Sequence, residues 1–334
     1  MEYRVLGKTG LKISRLGLGG IPIQRVDAEQ TKDLMHQLKK KGVNFVDTAR
    51  GYTVSEEYLG YALEGIREDF VIATKSMSRD AASMTKDVDI SLKNLRTDYI
   101  DLYQFHNPSP KDLDTILAPG GALEALLSAK AAGKIRHIGI TAHYPEVFRR
   151  ALELDWVETI MFPYNIIENQ GAELMELCKE KGIGFICMKP LAGGALDDGT
   201  LALRYIMQND AVSVVIPGMA EKKEVEENVA AVQSSSPLTP EELAKINEIR
   251  STLGTQFCRR CNYCAPCTVG IPISGVLLFE GYLTRYGLGD WAKQRYQTLA
   301  VKPEACVDCG VCETRCPYQL PIRDMLKKAA ELLR

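Results

Sequence analysis

The chain reads as a closed (β/α)8 barrel of the TIM type, plugged at one end by an N-terminal hairpin and followed by a small helical module rich in cysteine. Three observations predict this. Eight short apolar runs are spaced through residues 15–218, amphipathic segments lie between them, and eight of the ten cysteines fall between residues 258 and 316. Strands that are apolar throughout are buried on both faces, as a parallel sheet covered by helices requires.

The elements follow in order. Residues 2–14 read as a hairpin turning at Gly7 to Gly10, which would close the bottom of the barrel. The strands are RLGLGG (15–20), VNFVDTA (43–49), FVIATK (70–75), YIDLYQFH (99–106), IRHIGIT (135–141), TIMFPYN (159–165), GFICMKP (184–190) and VSVVIPG (212–218). Helical segments between them end at Gly42, Gly133 and Gly182, the usual place for a left-handed cap. An open doubly wound sheet is the competing arrangement, disfavoured by eight even units without a G-x-G-x-x-G fingerprint.

SSSPLTPEELAKINEIR (234–250) is a polar linker running into a helix capped by Thr239, with Pro240 in its first turn. The expected domains are a barrel over 1–252 and a cysteine module over 253–334. Two helices, in ISGVLLFEGYLTRYG and DWAKQRYQTLA, separate the cysteine runs, and LPIRDMLKKAAELLR closes the chain.

The 334 residues carry a net charge of −2 and 46% hydrophobic residues, an ordinary globular balance. It leaves no electrostatic footprint for nucleic acid or an anionic membrane. No apolar run reaches the roughly 18 residues of a membrane span. The N-terminus lacks the charged-then-apolar order of a signal peptide. With thiols spaced for metal, a cytoplasmic protein is expected.

Cys306, Cys309, Cys312 and Cys316, followed by Pro317, have the C-x2-C-x2-C-x3-C-P spacing of a 4Fe-4S ferredoxin site. Cys258, Cys261, Cys264 and Cys267 repeat it with an even last gap and Thr268 in place of proline. The first run therefore reads as a second 4Fe-4S ligand set, with zinc as the alternative. In ferredoxin logic the last cysteine of each run crosses over. One cluster takes Cys258, Cys261, Cys264 and Cys316; the other takes Cys306, Cys309, Cys312 and Cys267. C-x2-C repeats pair poorly as disulfides. Cys178 and Cys187 read as packing residues.

Chemistry in such barrels sits at the C-terminal ends of the strands. Asp47, Tyr52, Lys75 and His106 lie at or just after three consecutive strand ends, with Arg50 beside the first pair. The set suits carbonyl reduction. A cation lowers the pKa of a tyrosine acid, a carboxylate orients the cation, and a histidine hydrogen-bonds the carbonyl oxygen or relays a proton. Singly, each residue reads as ordinary packing or a solvated side chain.

VDTARGY, ATK and YQFH, with the leading YRVLGKTGLKISRLGLGG, resemble the aldo-keto reductases over residues 1 to about 235. The resemblance implies a catalytic tetrad of Asp47, Tyr52, Lys75 and His106, NAD(P)H as cofactor and a small carbonyl substrate. VIPGMAEKKEVEENVAAV resembles the family's cofactor segment, implying contacts at Gly218, Met219, Glu227 and Asn228. MKPLAGG (188–194), with Met188 and Lys189, resembles the loop over the pyrophosphate, and Gly20 ends the first strand on the same rim. There are departures. Thr141, Ala142 and His143 replace the usual Ser-Asn pair, Met161 the usual glutamine, and Met188 the stacking aromatic residue. Glu224 replaces the arginine that pairs a 2′-phosphate, with Lys222 and Lys223 nearby, so an NADP preference is not implied. The whole chain resembles the branch with a C-terminal ferredoxin-like domain, which implies exchange with a redox partner protein or a structural role for the clusters. No flavin fingerprint bridges one-electron and hydride chemistry. An electron-transfer protein using the barrel as a scaffold or flavin site, or a redox-sensing module, is therefore the rival reading.

Overall fold

The computed structural model describes residues 1–234 and 236–334. The hairpin is β1 (Tyr3–Val5) against β2 (Lys12–Ser14), antiparallel, with Arg4 opposite Ile13. Eight strands follow: β3 (Gly17–Gly19), β4 (Phe45–Asp47), β5 (Val71–Ser76), β6 (Ile100–Phe105), β7 (Ile135–Thr141), β8 (Thr159–Pro163), β9 (Gly184–Met188) and β10 (Val214–Ile216). Each falls on one of the eight apolar runs, β5 continuing one residue past its run to Ser76. They pair in chain order, every pair parallel. Isolated bridges Leu16–Val215 and Gly19–Gly218 close the ring between β3 and β10. The fold is a (β/α)8 barrel.

Side chains alternate across each strand, so one parity fills the barrel and the other meets the helices. Phe45, Ala73, Leu102, Met161, Ile186, Val214 and Ile216 form one buried cluster together with Leu6 and Ile13 of the hairpin. Val46, Ile72, Tyr103, Ile160, Phe185 and Val215, one residue out of phase, pack into the outer layer. The hairpin is the plug. It seats tightly at Gly7, whose φ is +53° and whose added Cβ would lie 2.2 Å from the Gly184 nitrogen. No other residue fits that approach.

By contacts the chain divides into two compact units. One comprises Met1–Asn165, Asn169–Leu191 and Asp198–Pro237; the other comprises Ile166–Glu168, Ala192–Asp197 and Leu238–Arg334. Helix Pro240–Thr252, expected with the barrel, groups with the second unit, where its Arg250 donates to the Ile166 carbonyl at 3.1 Å. Thr239 caps that helix through a capping box with Glu242.

The second unit is helical. Helices Ile273–Thr284, Gly289–Gln297 and Ile322–Leu333 pack around Val276, Leu277, Ala292, Tyr296, Leu326 and Ala329. The last helix buries Ile322, Leu326, Ala329, Ala330 and Leu333, one apolar stripe of helical period. Both cysteine runs lie mainly in the irregular segments this core holds in place. No helix of the described residues is long and apolar enough to cross a membrane.

Candidate functional site

The inward parity that puts Phe45, Ala73 and Leu102 in the barrel also turns Asp47, Lys75 and Gln104 inward, two residues further on, and His106 follows in the same phase. Register sets Lys75 beside Gln104. Lys75 Nζ donates to Asp47 Oδ2 at 2.5 Å and to the Thr48 carbonyl at 2.8 Å. Gln104 Nε2 donates to Asp47 Oδ1 at 3.2 Å. Asp47 is 3% and Lys75 2% exposed. Burial pushes the ammonium below its ordinary pKa and the carboxyl above its own, and the contact between them works against both shifts.

Tyr52 lies half-buried in the loop after β4. Lys75 Nζ stands 4.9 Å from the centre of its ring. The His106 ring meets it edge-on, with centroids 6.0 Å apart and planes at 88°. The structure thus brings all four residues to one place. Such a buried ion pair is strongly coupled, and removing one partner costs about 3–5 kcal/mol because the other charge is left uncompensated. Asp47→Ala is accordingly expected to lower the barrel's stability by that amount, read as a fall in the denaturant midpoint followed by barrel fluorescence.

Three supporting residues escape sequence reasoning. Glu56, 1% exposed, accepts from Thr74 Oγ1 at 2.8 Å, Ser91 Oγ at 2.7 Å and Arg50 Nη1 at 2.8 Å. It ties the Tyr52 loop to β5 and to helix Ala81–Asn94. In the sequence it is an acid in the first turn of helix Ser55–Ala62, where an acid ordinarily complements the dipole. Asn107 directly follows His106 with φ +47°. Its N–H donates to Thr141 Oγ1 at 2.8 Å and its Oδ1 pairs with His143 Nδ1 at 3.0 Å. Thr53, following Tyr52, is also left-handed at +41°. Two non-glycine residues in this costly region adjoin Tyr52 and His106, where packing holds them. Gln104 did carry a signal, since it lies two residues before His106 on one strand face.

The residues read as cofactor contacts are distributed as follows. Gly20 donates its N–H to the Asp47 carbonyl at 2.7 Å, and Gly218 bridges Gly19 at the seam of the barrel. Thr141 is buried with its hydroxyl accepting from Asn107. Met188 and Met161 pack into the barrel interior, and Ala142 into the outer core. Lys189 is left-handed, its carbonyl accepting from Asn165 Nδ2 at 2.9 Å. Met219 is fully buried. Glu227 is exposed beside Lys223, 3.7 Å away, and Asn228 is half-buried. Glu224 Oε2 accepts from the N–H groups of Ala220 at 2.6 Å and Glu221 at 3.0 Å, closing the capping box of helix Lys222–Gln233.

The cysteines gather into two cavities. One is lined by Cys258, Cys261, Cys264 and Cys316, with Arg259 and Pro317. The other is lined by Cys267, Cys306, Cys309 and Cys312, with Thr268 and Arg323. Among the described residues no group of three or more His, Cys, Asp or Glu side chains is closed onto a single ion site. Burial, with the nearby Cys258 and Cys261 charges, pushes the Cys264 thiol up to about 12. Cys309 is exposed, and the Thr268 hydroxyl and a backbone N–H hold its thiol below the ordinary value. Beside the first cavity, Arg260 donates to the fully buried Glu168 at 2.6 Å, and Arg259 lies 3.6 Å over the Tyr318 ring. Cys178 and Cys187 are buried, the latter's thiol donating to the Tyr164 carbonyl at 3.1 Å.

A family profile described as the aldo/keto reductase family matches residues 15–200 and 197–251. The chain belongs to the aldo/keto reductase family. It is therefore an oxidoreductase of a family that typically uses NAD(P)H. This aldo/keto reductase is 31% identical to L-galactose dehydrogenase of Arabidopsis thaliana over 283 residues, 70% of this chain and 88% of the relative. It is 30% identical over 237 residues to the NADH-specific methylglyoxal reductase of Escherichia coli (strain K12), 62% of this chain and 72% of that one. Among solved structures, the holo form of an aldo-keto reductase from Bacillus halodurans superposes with a TM-score of 0.66 at 30% identity, covering 75% of this chain and 96% of that one.

Proposed function

We propose that this aldo/keto reductase reduces a small aldehyde or ketone with NAD(P)H, using Asp47, Tyr52, Lys75 and His106. One observation carries the reading: the Lys75 ammonium, fixed on Asp47 at 2.5 Å, stands 4.9 Å from the centre of the Tyr52 ring, with His106 edge-on to the same ring. A reduced nicotinamide, when bound, supplies a hydride. Tyr52 Oη gives its proton to the carbonyl oxygen as negative charge develops there. Lys75 stabilises the tyrosinate that remains, Asp47 keeps Lys75 charged and aimed, and His106 orients the substrate oxygen. The rim suits a polar ligand. Gln104 Oε1 is buried with no hydrogen-bond partner, a defect worth about 1–3 kcal/mol that a ligand donor would relieve.

Glu224 supports NADH as the preferred form. Its carboxylate is fixed by two backbone N–H groups, and the neighbouring Lys222 and Lys223 are each paired to a glutamate one turn on. A fixed anion opposes a 2′-phosphate. The kcat/KM for NADH should exceed that for NADPH by about tenfold or more, worth about 1.4 kcal/mol. The test is an anaerobic aldehyde panel with each cofactor. Absence of any NAD(P)H-dependent carbonyl reduction overturns the function, and a preference for NADPH overturns the cofactor assignment.

Residues 253–334 are read as a ferredoxin-like domain holding two 4Fe-4S clusters. The donor set fits: each cavity is lined by four cysteine thiols, the soft ligands such clusters take. Such clusters, when bound, supply one-electron transfer. The same cavities favour a second reading, an electron-transfer protein. There, NADH or a partner donor bleaches the visible iron–sulfur absorption while carbonyl turnover does not depend on Tyr52. An anaerobic spectrum before and after NADH separates the two.

A further inference from the structure

We propose that the Thr268 hydroxyl sets the reduction potential of the cluster in the Cys267, Cys306, Cys309, Cys312 cavity by donating a hydrogen bond to Cys309 Sγ. The inference rests on the reading that both cavities hold 4Fe-4S clusters. Thr268 Oγ1 lies 3.3 Å from Cys309 Sγ. A ligating cysteine is a thiolate and has no proton to give, so in the loaded protein the hydroxyl is the donor. One-electron reduction makes the cluster and its sulfurs more negative. A donor aimed at a ligand sulfur therefore stabilises the reduced state more than the oxidised one and raises the potential.

The two cavities supply an internal control. Cys267 and Cys316 are the cysteines that reach across to the other run, and the residue after each lines the same cavity as the cysteine it follows. After Cys267 that residue is Thr268; after Cys316 it is Pro317, which has neither a hydroxyl nor an N–H to donate. Each cavity also has one arginine in its lining, Arg323 in one and Arg259 in the other, so nearby positive charge does not separate them. Thr268 in place of proline thus puts a hydroxyl after the crossing cysteine of one cavity where the other has none.

The experiment is an EPR-monitored potentiometric titration of the full-length protein, purified anaerobically, with iron and sulfide analysis on the same samples. Thr268→Val keeps the shape and removes the hydroxyl; Thr268→Ser keeps the hydroxyl. One midpoint should fall in Thr268→Val by about 59 mV, a tenfold change in the one-electron equilibrium. The other midpoint should stay in place, and Thr268→Ser should match the wild type. Thr268→Ala serves as a second deletion if valine disturbs loading. Wild-type protein without iron and sulfide removes the cluster reading and this inference with it. Loaded clusters whose midpoints stay in place in Thr268→Val overturn the inference alone. So does an equal shift in Thr268→Ser, which would trace the effect to solvent access.

Discussion

Tyr52→Phe is expected to lower kcat for NADH-dependent aldehyde reduction by about 10²–10⁴-fold, the usual contribution of a positioned general acid. The substitution is narrow. Phenylalanine keeps the ring that stands under the Lys75 ammonium and meets His106 edge-on, and removes the hydroxyl whose proton the reaction needs. The fold should be retained, read as an unchanged circular dichroism spectrum. NADH affinity, followed by the quenching of protein fluorescence, should also hold. Loss of kcat with cofactor binding retained is the signature of an interaction made in the transition state. Turnover at the wild-type rate would remove Tyr52 from the chemistry, and with it the tetrad mechanism.

Cys316→Ala is expected to halve the iron and acid-labile sulfide, and the cluster that survives should be the one whose midpoint responds to Thr268→Val. Cys316 follows Cys306, Cys309 and Cys312 in sequence, yet it lines the cavity of Cys258, Cys261 and Cys264. Cys267 is its mirror image, lining the cavity of Cys306, Cys309 and Cys312. Cys267→Ala should therefore abolish the signal that Cys316→Ala spares. If each run served its own cluster, the outcome would be reversed, with Cys316→Ala losing the Thr268-sensitive signal. The pair of variants thus reports the connectivity directly.

The strands were legible because each is a short apolar run bounded by turn residues, and the barrel because eight such runs alternate with helices. The candidate site was legible where chemistry and strand ends coincide, at Asp47, Lys75 and His106. It was not legible at Glu56, which resembles any acid opening a helix until packing shows Thr74, Ser91 and Arg50 donating to it. Nor was Asn107, whose left-handed backbone is held by Thr141 at the end of the next strand and His143 in the loop after it. Met161 and Met188 belong to the buried cluster inside the barrel. Glu224 has a similar history. Its charge was plain from the sequence, but its use as a helix cap depends on where two backbone N–H groups point.

What the sequence by itself determined is periodic or local: the barrel strands, the helix caps, the strand-end residues and the spacing of the thiols. Two-residue alternation, helical period and C-x2-C steps are carried by neighbours in the chain. What only the tertiary structure decided is which distant groups share a volume. The buried anchor at Glu56, the Asn107 contact with Thr141, and the Thr268 contact with Cys309 all join residues far apart in sequence. Those contacts form when apolar packing fixes the backbone around them, and no local pattern encodes that.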